Sequence, residues 1–104
     1  MSWIILIVAG LFETVWALAL KESHGFSKLG PSALFVLTLM ISMVLLAIAL
    51  RELSVGTGYA VWTGTGAVGA AVGGMILFGD PAVAGRIFPI GLIALGIVWL
   101  AVGE

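Results

Sequence analysis

Long apolar runs alternate with short polar breaks along this chain. The runs cover 3–20, 31–50, 57–78 and 84–102, and the breaks fall at Lys21–Gly30, at Arg51–Gly56 and around Asp80-Pro81. Each run is close to the roughly 20 residues a helix needs to cross the hydrocarbon core of a bilayer. None shows the in/out alternation of a barrel strand, and each exceeds the about 9 to 11 residues such a strand uses. The pattern predicts an all-α membrane fold, with four transmembrane helices in a single domain over 1–104. Boundary residues fit this division. Lys21 closes the first helix, and Pro31 suits the first turn of the second. Asp80 followed by Pro81 reads as an N-cap and a first-turn proline opening the fourth helix. The start Met1-Ser2-Trp3 has neither the basic cluster nor the cleavage site of a signal peptide, so it is read as the beginning of the first span.

Composition narrows the class further. Of 104 residues, 62% are hydrophobic and 9% charged, more apolar surface than a soluble domain of this size can hide. With no Cys and one His, disulfides, thiol chemistry and a transition-metal cluster are excluded, and no cofactor is expected. A net charge of −1 without a basic run argues against nucleic acid as a partner. The partner medium is the lipid bilayer. An even number of spans puts both termini on one side together with Arg51, leaving Lys21, Lys28 and Arg86 on the other. That bias is weak and leaves the orientation open. A chain with so little preference could insert both ways and pair with an inverted copy of itself. Four helices are also too few to enclose a solvated pathway with a gate on each side, so oligomerisation is expected.

One charge has no place at a span end. Glu13 lies near the middle of the first helix, and no Lys or Arg occupies the middle of any span to pair with it. An isolated ionised carboxylate there is expensive, so intramembrane acids default to function. Desolvation penalises the charged form, which lets a proton and a cationic substrate compete for one group. The bland alternative is a protonated packing residue. Gly10 and Trp16 stand three residues either side of Glu13, offering space beside an aromatic wall. On the third helix Tyr59 and Trp62 share a face continued by Gly66. Their rings attract cations and their O–H and N–H groups can donate to a carboxylate, although either could be an interfacial anchor. Ser42, mid-way along the second helix, is ambiguous, because a lone Ser often bonds its own i−4 carbonyl.

The third helix also holds Gly58, Gly64, Gly66, Gly69, Gly73 and Gly74. Small residues four apart let helix backbones approach closely in lipid. The density of glycine at 64–69 is equally compatible with packing inside one chain, with oligomerisation, or with a flexible kink.

Three segments together carry a family resemblance: Gly10-Leu11-Phe12-Glu13-Thr14-Val15-Trp16-Ala17, His24-Gly25-Phe26-Ser27, and Val55-Gly56-Thr57-Gly58-Tyr59-Ala60-Val61-Trp62-Thr63-Gly64. The chain resembles, over essentially its whole length, the small multidrug resistance family of bacterial exporters. Trp16 after Glu13, with Trp62 to Ala70, is similar to the guanidinium-exporting subtype rather than the promiscuous quaternary-ammonium one. The resemblance implies an antiparallel homodimer of dual-topology subunits in the bacterial inner membrane, exchanging protons for a cation by alternating access. It implies that Glu13 of both subunits forms the shared site and that the fourth helix supplies much of the dimer contact. It further implies that Trp16, Ser42 and Trp62 form a hydrogen-bonded stack orienting Glu13, that Tyr59 bonds the carboxylate and gates access, and that Gly10 leaves room beside the substrate. The chain departs from the family pattern at Ser54, where Pro is usual, at Gly58 and Thr65, where Ala and Ile are common, and in lacking a Lys near the end of the fourth helix.

Guanidinium suits such a site: it is planar, delocalised and rimmed with N–H donors that can bond carboxylates in bidentate fashion. Protonating the two carboxylates would remove the charge that holds it, which couples the two fluxes. A broader exporter of quaternary ammonium and other hydrophobic cations is the alternative within the same class. A non-transporting accessory subunit is the alternative outside it, and such a subunit has no need of a buried Glu flanked by Trp and Tyr. No paired acid and base or nucleophile–base set supports an enzyme.

Overall fold

The computed structural model describes residues 1–103. They form four helices: α1 (Ser2–Glu22), α2 (Leu29–Ala49), α3 (Val55–Leu77) and α4 (Ala84–Gly103). All four are long and apolar enough to cross a membrane. At 1.5 Å per residue, helices of 20 to 23 residues match a hydrocarbon core of about 30 Å.

Helix α1 is the centre of the packing. It lies against both α2 and α3, whereas α2 and α3 touch little and α4 packs on α3 alone. The small core is built from Leu6 and Ala9 of α1, Leu46 and Ala49 of α2, and Val61 and Trp62 of α3. No residue of α4 is buried. The molecule measures 40 × 34 × 17 Å. Its short dimension is less than half its longest, so the described chain is a flattened layer of helices.

Glycine sets how closely α3 approaches its neighbours. A Cβ on Gly66 would overlap the Glu13 carboxyl, one on Gly69 would overlap the Thr14 hydroxyl, and one on Gly73 would lie 2.7 Å from Leu18 Cδ1. Gly64 faces the other way, with Ile97 Cδ1 of α4 at 3.0 Å from the Cβ position. Gly66, Gly69 and Gly73 thus form one contact stripe toward α1, and Gly64 one point toward α4. α3 is continuous helix through 64–69.

Helix ends follow local chemistry with one exception. Ser54, at the position where the family pattern carries Pro, caps α3 by accepting from the Thr57 N–H at 3.4 Å. α2 begins at Leu29, so Pro31 lies within the first turn, where its missing N–H has no helical partner to lose. The turn between α1 and α2 carries three successive left-handed residues, His24, Gly25 and Phe26. Ser23 holds this turn: its hydroxyl donates to the Leu20 carbonyl at 2.6 Å and accepts from the Phe26 N–H at 3.1 Å. The exception is Asp80-Pro81, which does not open α4. Gly79 at φ +70 ends α3, the Asp80 N–H turns back to the Gly74 carbonyl at 3.2 Å, and the chain stays non-helical until Ala84. The Asp80 carboxylate then faces Lys21 at 4.0 Å, where Lys21 also lies 5.1 Å above the Phe78 ring. A tertiary pairing has taken the side chain that a local cap would have used. Within α4, Pro89 removes one backbone bond.

Candidate functional site

Glu13 lies at the α1/α3 seam, its carboxyl resting on the backbone of Gly66, which has no side chain to displace it. Its Oε1 is buried and has no hydrogen-bond partner. The ion pair among the described residues, Lys21–Asp80, is far along the helices from it. Next to it the Thr14 hydroxyl spans the seam, within 3.4 Å of both the Gly10 carbonyl of its own helix and the Gly66 carbonyl of α3. This ties the two backbones together beside the carboxyl.

Ser42 and Trp62 are joined. The Trp62 indole N–H donates to Ser42 Oγ at 2.9 Å, and the Ser42 hydroxyl donates in turn to the Ala9 carbonyl at 2.7 Å. Ser42 is wholly buried and Trp62 nearly so. The relay therefore runs α3 to α2 to α1 and ends on backbone, one turn before Glu13. In the single chain it ends on the Ala9 carbonyl rather than on the carboxyl. Ser42 does not bond its own i−4 carbonyl, unlike Thr38, whose hydroxyl donates to Leu34 at 2.6 Å.

Trp16 lies edge-on to Phe35 of α2 with ring centroids 5.7 Å apart, and Phe35 meets Phe26 of the first turn at 5.4 Å. The Trp16 indole N–H is buried and unpartnered. Tyr59 packs edge-on to Trp62 at 5.2 Å, is half exposed, and makes no hydrogen bond to Glu13. Gly10 is buried, and the space it opens is taken by Thr65, whose Cβ would lie 2.6 Å from a Cβ on Gly10. Thus Glu13, Gly10 and Gly66 meet at one seam, Ser42 and Trp62 support it from below, and Trp16 and Tyr59 flank it. Ala9, Thr14 and Thr65 were not singled out as site residues by sequence. The first acts through its carbonyl, which side-chain chemistry cannot reveal. Thr14 and Thr65 carry the only visible signal, hydroxyls within one residue of Glu13 and Gly66.

A groove of about 620 Å³ lies elsewhere, between α3 and α4, lined by Ala60, Gly64, Ile93, Gly96, Ile97 and Trp99 among others. No group of three or more His, Cys, Asp or Glu able to hold a metal ion occurs among the described residues.

A buried acid on four apolar helices, flanked by Trp16 and Trp62, agrees with comparison to known proteins: the Small Multidrug Resistance protein family matches residues 1–93. The chain belongs to this family. As a small multidrug resistance protein it is a transporter rather than an enzyme, and a multi-pass protein of the bacterial inner membrane. It is 56% identical over 100 residues to a guanidinium exporter of Escherichia coli (strain K12), covering 96% of this chain and 95% of that one. It is 54% identical over 100 residues to a guanidinium exporter of Salmonella typhimurium and 51% identical over 100 residues to one of Citrobacter freundii, with the same coverage of both chains.

Proposed function

We propose that this protein exports guanidinium, and small substituted guanidiniums, in exchange for protons by alternating access. The observation that carries this reading is the Glu13 carboxyl, buried at the α1/α3 seam with one oxygen unpartnered and no basic side chain against it. A carboxyl so placed holds either a proton or an organic cation, and exchange of one for the other is the minimum chemistry of antiport. Its high identity to guanidinium exporters supports the choice of cation. So does the fit of a planar cation, less strongly hydrated than an ammonium, to paired carboxylates.

The working unit is an antiparallel homodimer in which Glu13 of each subunit faces one cation. Three features support it: the helices form a flattened layer, α4 buries nothing in the single chain, and the basic residues give little orientational preference. Protonation of the two Glu13 carboxylates then releases the cation by removing the charge that held it.

The test is transport by purified protein in liposomes, with guanidinium and tetraethylammonium gradients applied side by side while proton flux is followed. Proton movement driven by guanidinium and not by tetraethylammonium is expected. Flux driven equally by both would replace this reading with the broader exporter, and flux driven by neither would overturn it.

A further inference from the structure

Among the described residues three buried polar side-chain atoms have no hydrogen-bond partner: Glu13 Oε1, Trp16 Nε1 and Thr65 Oγ1. The first two belong to residues already placed at the site. Thr65 shares the α1/α3 seam with Glu13. Its Cβ and methyl fill the notch at Gly10, at 2.6 and 2.7 Å from where a Cβ would stand, while its hydroxyl is the arm turned furthest from that notch, at 3.5 Å. The next residue on α3 is Gly66, against which the Glu13 carboxyl rests. Gly10 and Glu13 are three residues apart on α1, and Thr65 and Gly66 are adjacent on α3, so the hydroxyl and the carboxyl belong to neighbouring contacts of the same seam.

An orphaned hydroxyl is unusual because a helical Thr has an easy partner in the carbonyl four residues back. Thr38 uses that partner at 2.6 Å, Ser32 does so at 2.6 Å, and Thr14 reaches it at 3.4 Å. Thr65 does not, and Val would fill the Gly10 notch with the same shape and no unmet polar group. Of the three orphans, Trp16 can only donate, whereas the carboxylate and the hydroxyl can accept. A guanidinium ion carries N–H donors all round its rim and no acceptor. The carboxylate can satisfy one edge of it.

Resting on the guanidinium reading above, we propose that Thr65 is a substrate-binding and specificity-determining residue, its Oγ accepting an N–H from an edge of the cation that Glu13 leaves free. Cations with N–H groups on more than one edge gain from it, and fully alkylated ones do not.

The test is guanidinium binding to the purified full-length protein, read by tryptophan fluorescence at several pH values, for wild type, Thr65→Val and Thr65→Ser. One hydrogen bond to a charged ligand is worth about a ten- to hundredfold change in Kd. Thr65→Val is expected to weaken alkaline-pH binding by that factor, and Thr65→Ser, which keeps the hydroxyl, to stay within about twofold of wild type. The pH at which the apparent Kd doubles is expected not to move, because the hydroxyl serves the cation and not the carboxyl. Unchanged binding in Thr65→Val would overturn the contact, as would equal loss in Val and Ser or a displaced pH dependence. If wild type itself binds no guanidinium, it is the functional reading that fails.

Discussion

Replacing Ser42 with Ala removes the middle of the relay that joins three helices. Two bonds are lost, Trp62 Nε1–H to Ser42 Oγ at 2.9 Å and Ser42 Oγ–H to the Ala9 carbonyl at 2.7 Å. Side-chain hydrogen bonds between helices in lipid average about 0.6 kcal/mol and reach about 1.7 kcal/mol. The two losses are unequal. The Ala9 carbonyl keeps its bond within α1, whereas the buried Trp62 N–H can only donate and is left without a partner, at about 1–3 kcal/mol. The expected destabilisation is therefore about 2 kcal/mol, dominated by Trp62. Because Ala9 lies one turn before Glu13, guanidinium binding should weaken as well. The assay is reversible unfolding in mixed detergent micelles of Ser42→Ala, Trp62→Phe and the double variant. If the indole N–H is the main loser, Ser42→Ala should cost about 1 kcal/mol less in the Trp62→Phe background than in wild type. Additive single effects, or a Ser42→Ala change below about 0.5 kcal/mol, would refute the reasoning.

Gly66→Ala places a methyl group where the Glu13 carboxyl rests. The carboxyl is the free end of a flexible side chain, so the protein should still fold while exchange falls by about tenfold or more, a displacement of the reacting group being enough. Gly30→Ala, with open space around its Cβ, should leave exchange unchanged in the same liposome assay. Asp80→Asn removes the Lys21 pairing, whose side chains are 61% and 32% exposed. Unfolding in mixed micelles should register a loss of under about 1 kcal/mol, as for other solvent-screened pairs.

The four helices were legible in sequence because each apolar run matches the membrane thickness, and Glu13 because it is the charge no span end accounts for. What escaped depended on partners distant in sequence. Asp80 obeys a capping rule only if nothing else competes. Lys21, 59 positions earlier, competes successfully once Gly79 has turned the chain. Ser42 could have bonded its own helix, and only packing against α1 and α3 shows that it bridges Ala9 and Trp62 instead. The glycines of α3 announce close approach without saying to what. Gly66, Gly69 and Gly73 turn out to receive Glu13, Thr14 and Leu18, while Gly64 receives Ile97 of α4. Gly10 signals open space in the sequence, and only the packing of α3 on α1 shows that Thr65 sits against it in the single chain.

The central claim is that one carboxyl holds proton and cation in turn. Adding guanidinium to purified protein in weakly buffered detergent at near-neutral pH, and recording protons released, tests it most directly. Wild type should release protons in proportion to guanidinium bound, and Glu13→Gln should neither bind the cation nor release protons. Release from Glu13→Gln equal to that of wild type would contradict the account.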